Sequence, residues 1–200
     1  MNFPVLIRTY DAPELCESEI LRYAGCKSAD ESTLSLLHEC LNELNGKLCY
    51  KVCFMKLPCT VDGDTADLSA FKVRSKALAR NLSKCKNVIL FAATVGVHLD
   101  RLIARYGHIA PSKALMMQAI GAERIEALCD IFCEDIKNEE HCVLRPRFSP
   151  GYGDLALDVQ KDIFALLECH KRIGVALNKS LLMSPSKSVT AFIGIRSTEE

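Results

Sequence analysis

The sequence predicts an α+β fold: one domain over residues 1–200 with a largely antiparallel sheet flanked by helices. Three observations carry this. Short strand-like runs at 48–57, 87–93 and 188–195 are interspersed with amphipathic helical stretches. They do not follow the strict β-α-β alternation that a parallel sheet requires. A hairpin signal, Asp-Gly, lies within Val61-Asp62-Gly63-Asp64-Thr65.

Each element has a local reason. Residues 13–24 and 30–45 read as two helices. In the second, Leu34, Leu37, Leu41 and Leu44 recur at helical spacing, Asp30 is the expected N-cap, and Gly46 ends the helix. Residues 48–57 alternate and carry β-formers. A short helix is expected over 75–84. Asn87 to Ala93 is nearly continuous apolar sequence, which reads as a buried strand. Gly96 then allows a turn into a helix at 97–107. Residues 111–138 read as one long helix or as two broken near Gly121, with Ile125, Leu128, Cys129, Phe132 and Ile136 on the buried face. A loop at 139–153 leads to a helix at 155–173, whose expected apolar face includes Val159, Ile163, Leu166, Leu167 and His170. Residues 188–195 form the last strand.

Composition narrows the function classes. At 200 residues, nearly half apolar, the chain is long enough for a real core. Lys and Arg equal Asp and Glu in number, so no bulk field favours nucleic acid or an anionic membrane. No apolar run has the length of a membrane span. The opening Met-Asn-Phe-Pro-Val-Leu-Ile-Arg lacks the features of a signal peptide, so a cytoplasmic location is expected. Eleven cysteines without an export signal read as reduced, mostly buried thiols. On a strand, Cys49 and Cys53 would lie about 13 Å apart, too far to share a metal. Cys129 and Cys133 are one helical turn apart, but Cys129 falls on the apolar stripe, so core packing is expected. His98, His108 and His170 have no paired partner, and no metal site is expected.

The segment Leu144 to Asp154 is the most informative. Arg145 and Ser149 each precede proline and are pushed to extended conformations, so Arg145 and Arg147 are expected to face one side together. Gly151 and Gly153 bracket Tyr152 and allow close approach of the backbone. Asp154 stands where an N-cap of the following helix is expected, with Asp158 in the first turn. The arginine fork suits a carboxylate. By composition alone the segment also reads as a Pro-Gly turn with an arginine paired to a nearby acid.

Arg147-Phe-Ser-Pro-Gly-Tyr-Gly-Asp154 resembles the Arg-x-x-x-Gly-Tyr motif of the activation domain of cobalamin-dependent methionine synthase, and more closely its short free-standing relatives. Leu90-Phe-Ala-Ala-Thr-Val-Gly96 with His98-Leu-Asp-Arg-Leu-Ile103, and Met183-Ser-Pro-Ser-Lys-Ser-Val-Thr-Ala-Phe-Ile-Gly-Ile195, are similar to the same family in the same order. Gly153-Asp154-Leu155 departs from the full-length enzyme, which has Ala-Cys-Pro after Gly-Tyr-Pro.

The resemblance implies a C-shaped α+β domain that binds S-adenosylmethionine on its surface. Arg147 would hold the ligand and Tyr152 would lie in the same site, with Pro150, Gly151 and Gly153 shaping the loop. Glu126 or Glu123, with Glu126 preferred, would meet the ligand's ammonium. Lys187 and Thr94 are further candidates by position, each with an ordinary structural role as the alternative. The implied role is reductive remethylation of cob(II)alamin within a methionine synthase (methyltransferase) system of methionine biosynthesis. No Asp-x-His-x-x-Gly signature occurs, so cobalamin is expected on a partner's corrinoid-binding domain, with a flavodoxin or ferredoxin-like electron donor. A docking module for a corrinoid protein, and a reactivator of a different corrinoid methyltransferase, are the alternatives. No catalytic side chain is expected, because the task is positioning.

Overall fold

Leu6–Tyr10 forms the first strand, β1, where no strand was expected. It is an edge strand with Leu6 and Ile7 exposed, so it lacks the alternation that marks a half-buried strand. The computed structural model describes residues 3–26 and 28–196; Met1, Asn2, Lys27 and 197–200, which the expected domain includes, lie outside the described residues. Helix α1 spans Glu17–Tyr23, not 13–24. The carbonyls of Pro13 and Glu14 are taken by Arg124, at 2.6 and 2.7 Å, and so do not start a helical ladder.

Helix α2 (Glu31–Leu44) begins as expected: Asp30 accepts from the Thr33 amide at 2.8 Å. Strand β2 (Tyr50–Pro58) leads into the hairpin β3 (Thr60–Asp62) and β4 (Thr65–Asp67). Asp62 pairs with Thr65, which leaves Gly63 and Asp64 at the tip, and Gly63 has a φ of +55°. Strand β5 (Lys72–Arg74) completes this small sheet, and helix α3 (Lys76–Asn81) follows with Ser75 as its cap. Strand β6 is Asn87–Thr94, and α4 is His98–Ile109.

Helix α5 runs unbroken over Pro111–Glu140. Gly121 does not break it. A Cβ there would stand 2.3 Å from Leu99 Cδ2 and 2.8 Å from Lys187 Cγ, so the glycine serves close approach of α4 and Lys187. Strand β7 (Val143–Leu144) lies inside the stretch expected to be loop. The expected helix 155–173 starts at Val159 and divides at Glu168, whose φ is +50°, into α6 (Val159–Leu167) and α7 (Cys169–Ile173). The divided helix leaves His170 exposed, against expectation. Strands β8 (Ala176–Leu177) and β9 (Met183–Ser184) pair with each other before β10 (Ser188–Arg196).

The main sheet is antiparallel throughout, in the order β1-β2-β6-β10-β7. Its two faces are both covered. Val52, Phe54, Ile89, Phe91, Ala93 and Ile193 point to a core shared with α1, α2, α4 and α5. Cys53, Met55, Leu57, Leu90, Ala92 and Phe192 point to a second core under α3, α6 and α7. Burial on both faces is why Asn87–Thr94 reads as a continuous apolar run. Phe132 of α5 anchors the first core, 5.1 Å from the Phe54 ring and 5.0 Å from Phe91. The eleven cysteines are free thiols and most are buried. Among the described residues, no helix is long and apolar enough to cross a membrane.

Candidate functional site: the Arg147 loop and the carboxylate ridge of α5

The backbone before the loop explains where its two arginines go. Leu144 pairs with Ile195 and Phe148 with Phe192, so the chain advances four residues while β10 advances three. One extra residue is accommodated as a bulge, which flips the alternation of side chains. Arg145 and Arg147 therefore diverge, contrary to the expectation that they face one side. Arg145 lies against Gly194, and its Nε donates to the Asn81 carbonyl at 2.9 Å. Arg147 crosses to α5, where Nη2 donates to Glu126 Oε2 and Nη1 to Asp130 Oδ1, each at 2.6 Å. Its side chain is 25% exposed. Burial works against the charge of the Arg147 guanidinium, and its acidic surroundings, the Cys129 thiol with the Asp130 and Glu126 carboxylates, together outweigh it and raise the pKa above the usual arginine value.

Beyond Arg147 the loop closes on itself. Tyr152 N donates to Ser149 O at 3.1 Å, Gly151 N to Leu155 O at 2.8 Å, and Leu155 N to Tyr152 O at 3.1 Å. Gly151 and Gly153 adopt φ of +87° and +60°, which the turn requires. Pro150 is buried beneath it. Tyr152 is 70% exposed and its ring stands edge-on to Phe148, with centroids 5.5 Å apart. The loop thus presents a phenol to solvent from a rigid base.

Asp154 does not cap the helix that follows it. It reaches back to α3, where its carboxylate accepts from Ser75 Oγ at 2.5 Å, Lys76 N at 2.8 Å and Ala77 N at 3.1 Å. Asp158 occupies the N-cap position of α6 without a side-chain bond. The Ser75 hydroxyl and the Ala77 and Lys76 amides hold the Asp154 carboxyl down at about 2. A depressed carboxylate contributes stability above its unfolded pKa, and that contribution is lost as pH falls through the folded value. Asp154→Asn is therefore expected to lower the melting temperature at neutral pH and to flatten its fall between about pH 4 and pH 2. Thermal melts across that window check it; identical pH profiles would remove Asp154 from this role.

Glu126 and Asp130 lie one turn apart and form a ridge on α5. Arg147 stands on one side. On the other is a cleft of about 400 Å³ between α1 and α5, walled also by Glu14, Cys16, Glu19 and Tyr23. Of the two candidate glutamates, Glu126 is the one that meets Arg147. Glu123 is buried against Arg124 and accepts from the Cys16 amide at 3.1 Å.

Thr94 and Lys187 form a separate group. Thr94 is buried; its Oγ1 accepts from Gly96 N at 3.1 Å and bonds Ser188 Oγ at 2.9 Å. The Lys187 stem lies across Gly121, and burial pushes its amine below the usual lysine range against the pull of Asp100. No hydrogen bond among those described joins this group to Arg147. Gly121 precedes Glu126 by five residues, roughly 7.5 Å along the helix axis. No group of three or more His, Cys, Asp or Glu suited to a metal occurs among the described residues.

No family model matches the chain, and no curated protein matches it in sequence. A solved structure does match: the crystal structure of the MetH reactivation domain bound to AdoHcy, with a TM-score of 0.69. It is 15% identical in sequence, and the match covers 100% of this chain and 80% of that one. The chain has the fold of the MetH reactivation domain.

Within this reactivation-domain fold, two features escaped the sequence reading. Asp130 is the second carboxylate on Arg147; the signal for it was its spacing of four from Glu126. The segment 13–16, strapped to α5 by Glu123 and Arg124, carries no local signal, because its anchors lie more than a hundred residues away.

Proposed function

We propose that this chain binds S-adenosylmethionine beside the Arg147 loop and assists reductive remethylation of cob(II)alamin held by a partner methionine synthase. The observation that carries the reading is the fold shared with a domain solved with AdoHcy bound. The local chemistry fits such a ligand. Arg147 offers a planar fork to the ligand's carboxylate, and Glu126 offers a carboxylate to its ammonium. Pro150, Gly151 and Gly153 set the loop, and Tyr152 supplies an exposed ring at its tip. Lys187, which lies against Gly121 of α5, and Thr94, which bonds Ser188, are further candidate contacts. Residues 1–200 act as one unit in the cytoplasm.

The partner's cobalamin supplies a reduced cobalt nucleophile for the sulfonium methyl, with the electron coming from a flavodoxin or ferredoxin-like donor. This chain's own part is to bind and orient the methyl donor. It has no proton to move, so no general base is needed, and its contribution is positioning. One observation favours a second reading, a docking module that needs no ligand: Glu126 and Asp130 already occupy both ends of the Arg147 fork.

Two measurements separate these readings. Calorimetric titration with S-adenosylmethionine is expected to show saturable binding. Mixing the chain with a cob(II)alamin-loaded methionine synthase, reductant and S-adenosylmethionine is expected to produce the methylcobalamin spectrum. No binding heat and no spectral change would leave the docking reading in place.

A further inference from the structure

The Arg147 site carries more negative charge than positive. One guanidinium is shared by two carboxylates, Glu126 and Asp130, at 2.6 Å each. The neighbouring pairs cancel: Arg124 lies against Glu123, and Arg22 sits 2.6 Å from Glu19. Glu14 adds a further acid to the cleft wall. For Arg147 to take up a ligand carboxylate, one of its two partners must let go. The Asp130 side chain is 72% exposed and that of Glu126 is 46% exposed, so Asp130 regains water most easily on release.

We infer that Asp130 is a specificity-determining residue, which leaves Arg147 when a ligand carboxylate arrives and then faces the ligand as an uncompensated negative charge. This rests on the S-adenosylmethionine reading above. S-Adenosylmethionine carries a carboxylate, an ammonium and a sulfonium, for a net charge of +1. S-Adenosylhomocysteine, which remains after the methyl leaves, has a neutral thioether and no net charge. The excess negative charge at the ridge therefore favours the methyl donor over its demethylated product. Transfer of the methyl group removes the charge the site holds, and the product is released more readily than the donor.

The experiment is paired calorimetry with the two ligands on the full chain and on Asp130→Asn, at low salt and at about 0.5 M salt. The unmodified chain is expected to bind S-adenosylmethionine about five- to tenfold more tightly than S-adenosylhomocysteine at low salt, a modest ratio because Asp130 is exposed. Added salt is expected to shrink that ratio. Asp130→Asn is expected to bring it below about twofold, chiefly by weakening the cationic ligand. Asp62→Asn, the same charge change on β3, which packs with the core at the other face of the main sheet from α5, is expected to leave it unchanged. Circular dichroism confirms that each variant is folded. Equal affinity for the two ligands in the unmodified chain, or equal weakening of both by Asp130→Asn, overturns the inference while the ligand assignment stands. Absence of binding by either ligand overturns both.

Discussion

Arg147→Ala is expected to lower S-adenosylmethionine affinity at least about thirtyfold, which corresponds to about 2 kcal/mol. The magnitude follows from truncating a fork whose two arms each make charge-assisted bonds, worth roughly 1.5–3 kcal/mol apiece in partly desolvated sites. Arg147 is three-quarters buried and aligned by its contacts to Glu126 and Asp130, so little ordering remains to be done when a ligand carboxylate arrives. Arg147→Lys keeps the charge and loses the planar fork, so an intermediate loss is expected. Stability should change little by comparison, because both acidic partners are substantially exposed and pairs of that kind contribute only about 0–1 kcal/mol. Calorimetry together with a thermal melt checks both halves. Unchanged affinity in a folded Arg147→Ala protein would remove this residue from the proposed site.

What could be read from the sequence, and what could not, divides along physical lines. Contacts local in sequence were legible. Asp30 capping α2, the Gly63-Asp64 hairpin tip and the apolar face of α5 all follow from periodicity or from side chains bonding within three or four residues. The loop was legible as a stiff, glycine-bracketed turn, and the plainer reading of its arginine, paired to nearby acids, describes the structure, with Glu126 and Asp130 as the acids. Contacts set by tertiary neighbours were not legible. Asp154 looked like a cap for the helix after it, because nothing local shows that the amide ends of α3, 77 residues earlier, converge on it. The bulge between Leu144 and Phe148 depends on register with β10, so the expected common direction of Arg145 and Arg147 failed by one residue. Edge strand β1 was missed for a related reason: with one neighbour and exposed Leu6 and Ile7, its pattern is that of a loop.

Arg124→Met is expected to be the most destabilising single change, at about 3–5 kcal/mol, because it strands a buried charge. Arg124 and Glu123 are 3% and 4% exposed and lie against each other. Arg124 also donates to Pro13 O and Glu14 O, and Glu123 accepts from Cys16 N, so the pair pins segment 13–16 to α5. That segment divides two clefts, the one of about 400 Å³ beside Glu126 and Asp130 and another of about 390 Å³ walled by Tyr10, Leu41, Leu44 and Ile120. Loosening it should therefore weaken ligand binding as well as the fold. Desolvating two charges is itself costly, so removing both can recover what removing one loses. The double variant Glu123→Leu with Arg124→Met is thus expected to be more stable than Arg124→Met alone, although the carbonyls of residues 13 and 14 lose their donors in each. Urea midpoints at constant slope measure all three proteins. A loss below about 1 kcal/mol in Arg124→Met, or a double variant less stable than the single, would mean that the strap is held by its apolar contacts and that the buried charges are incidental.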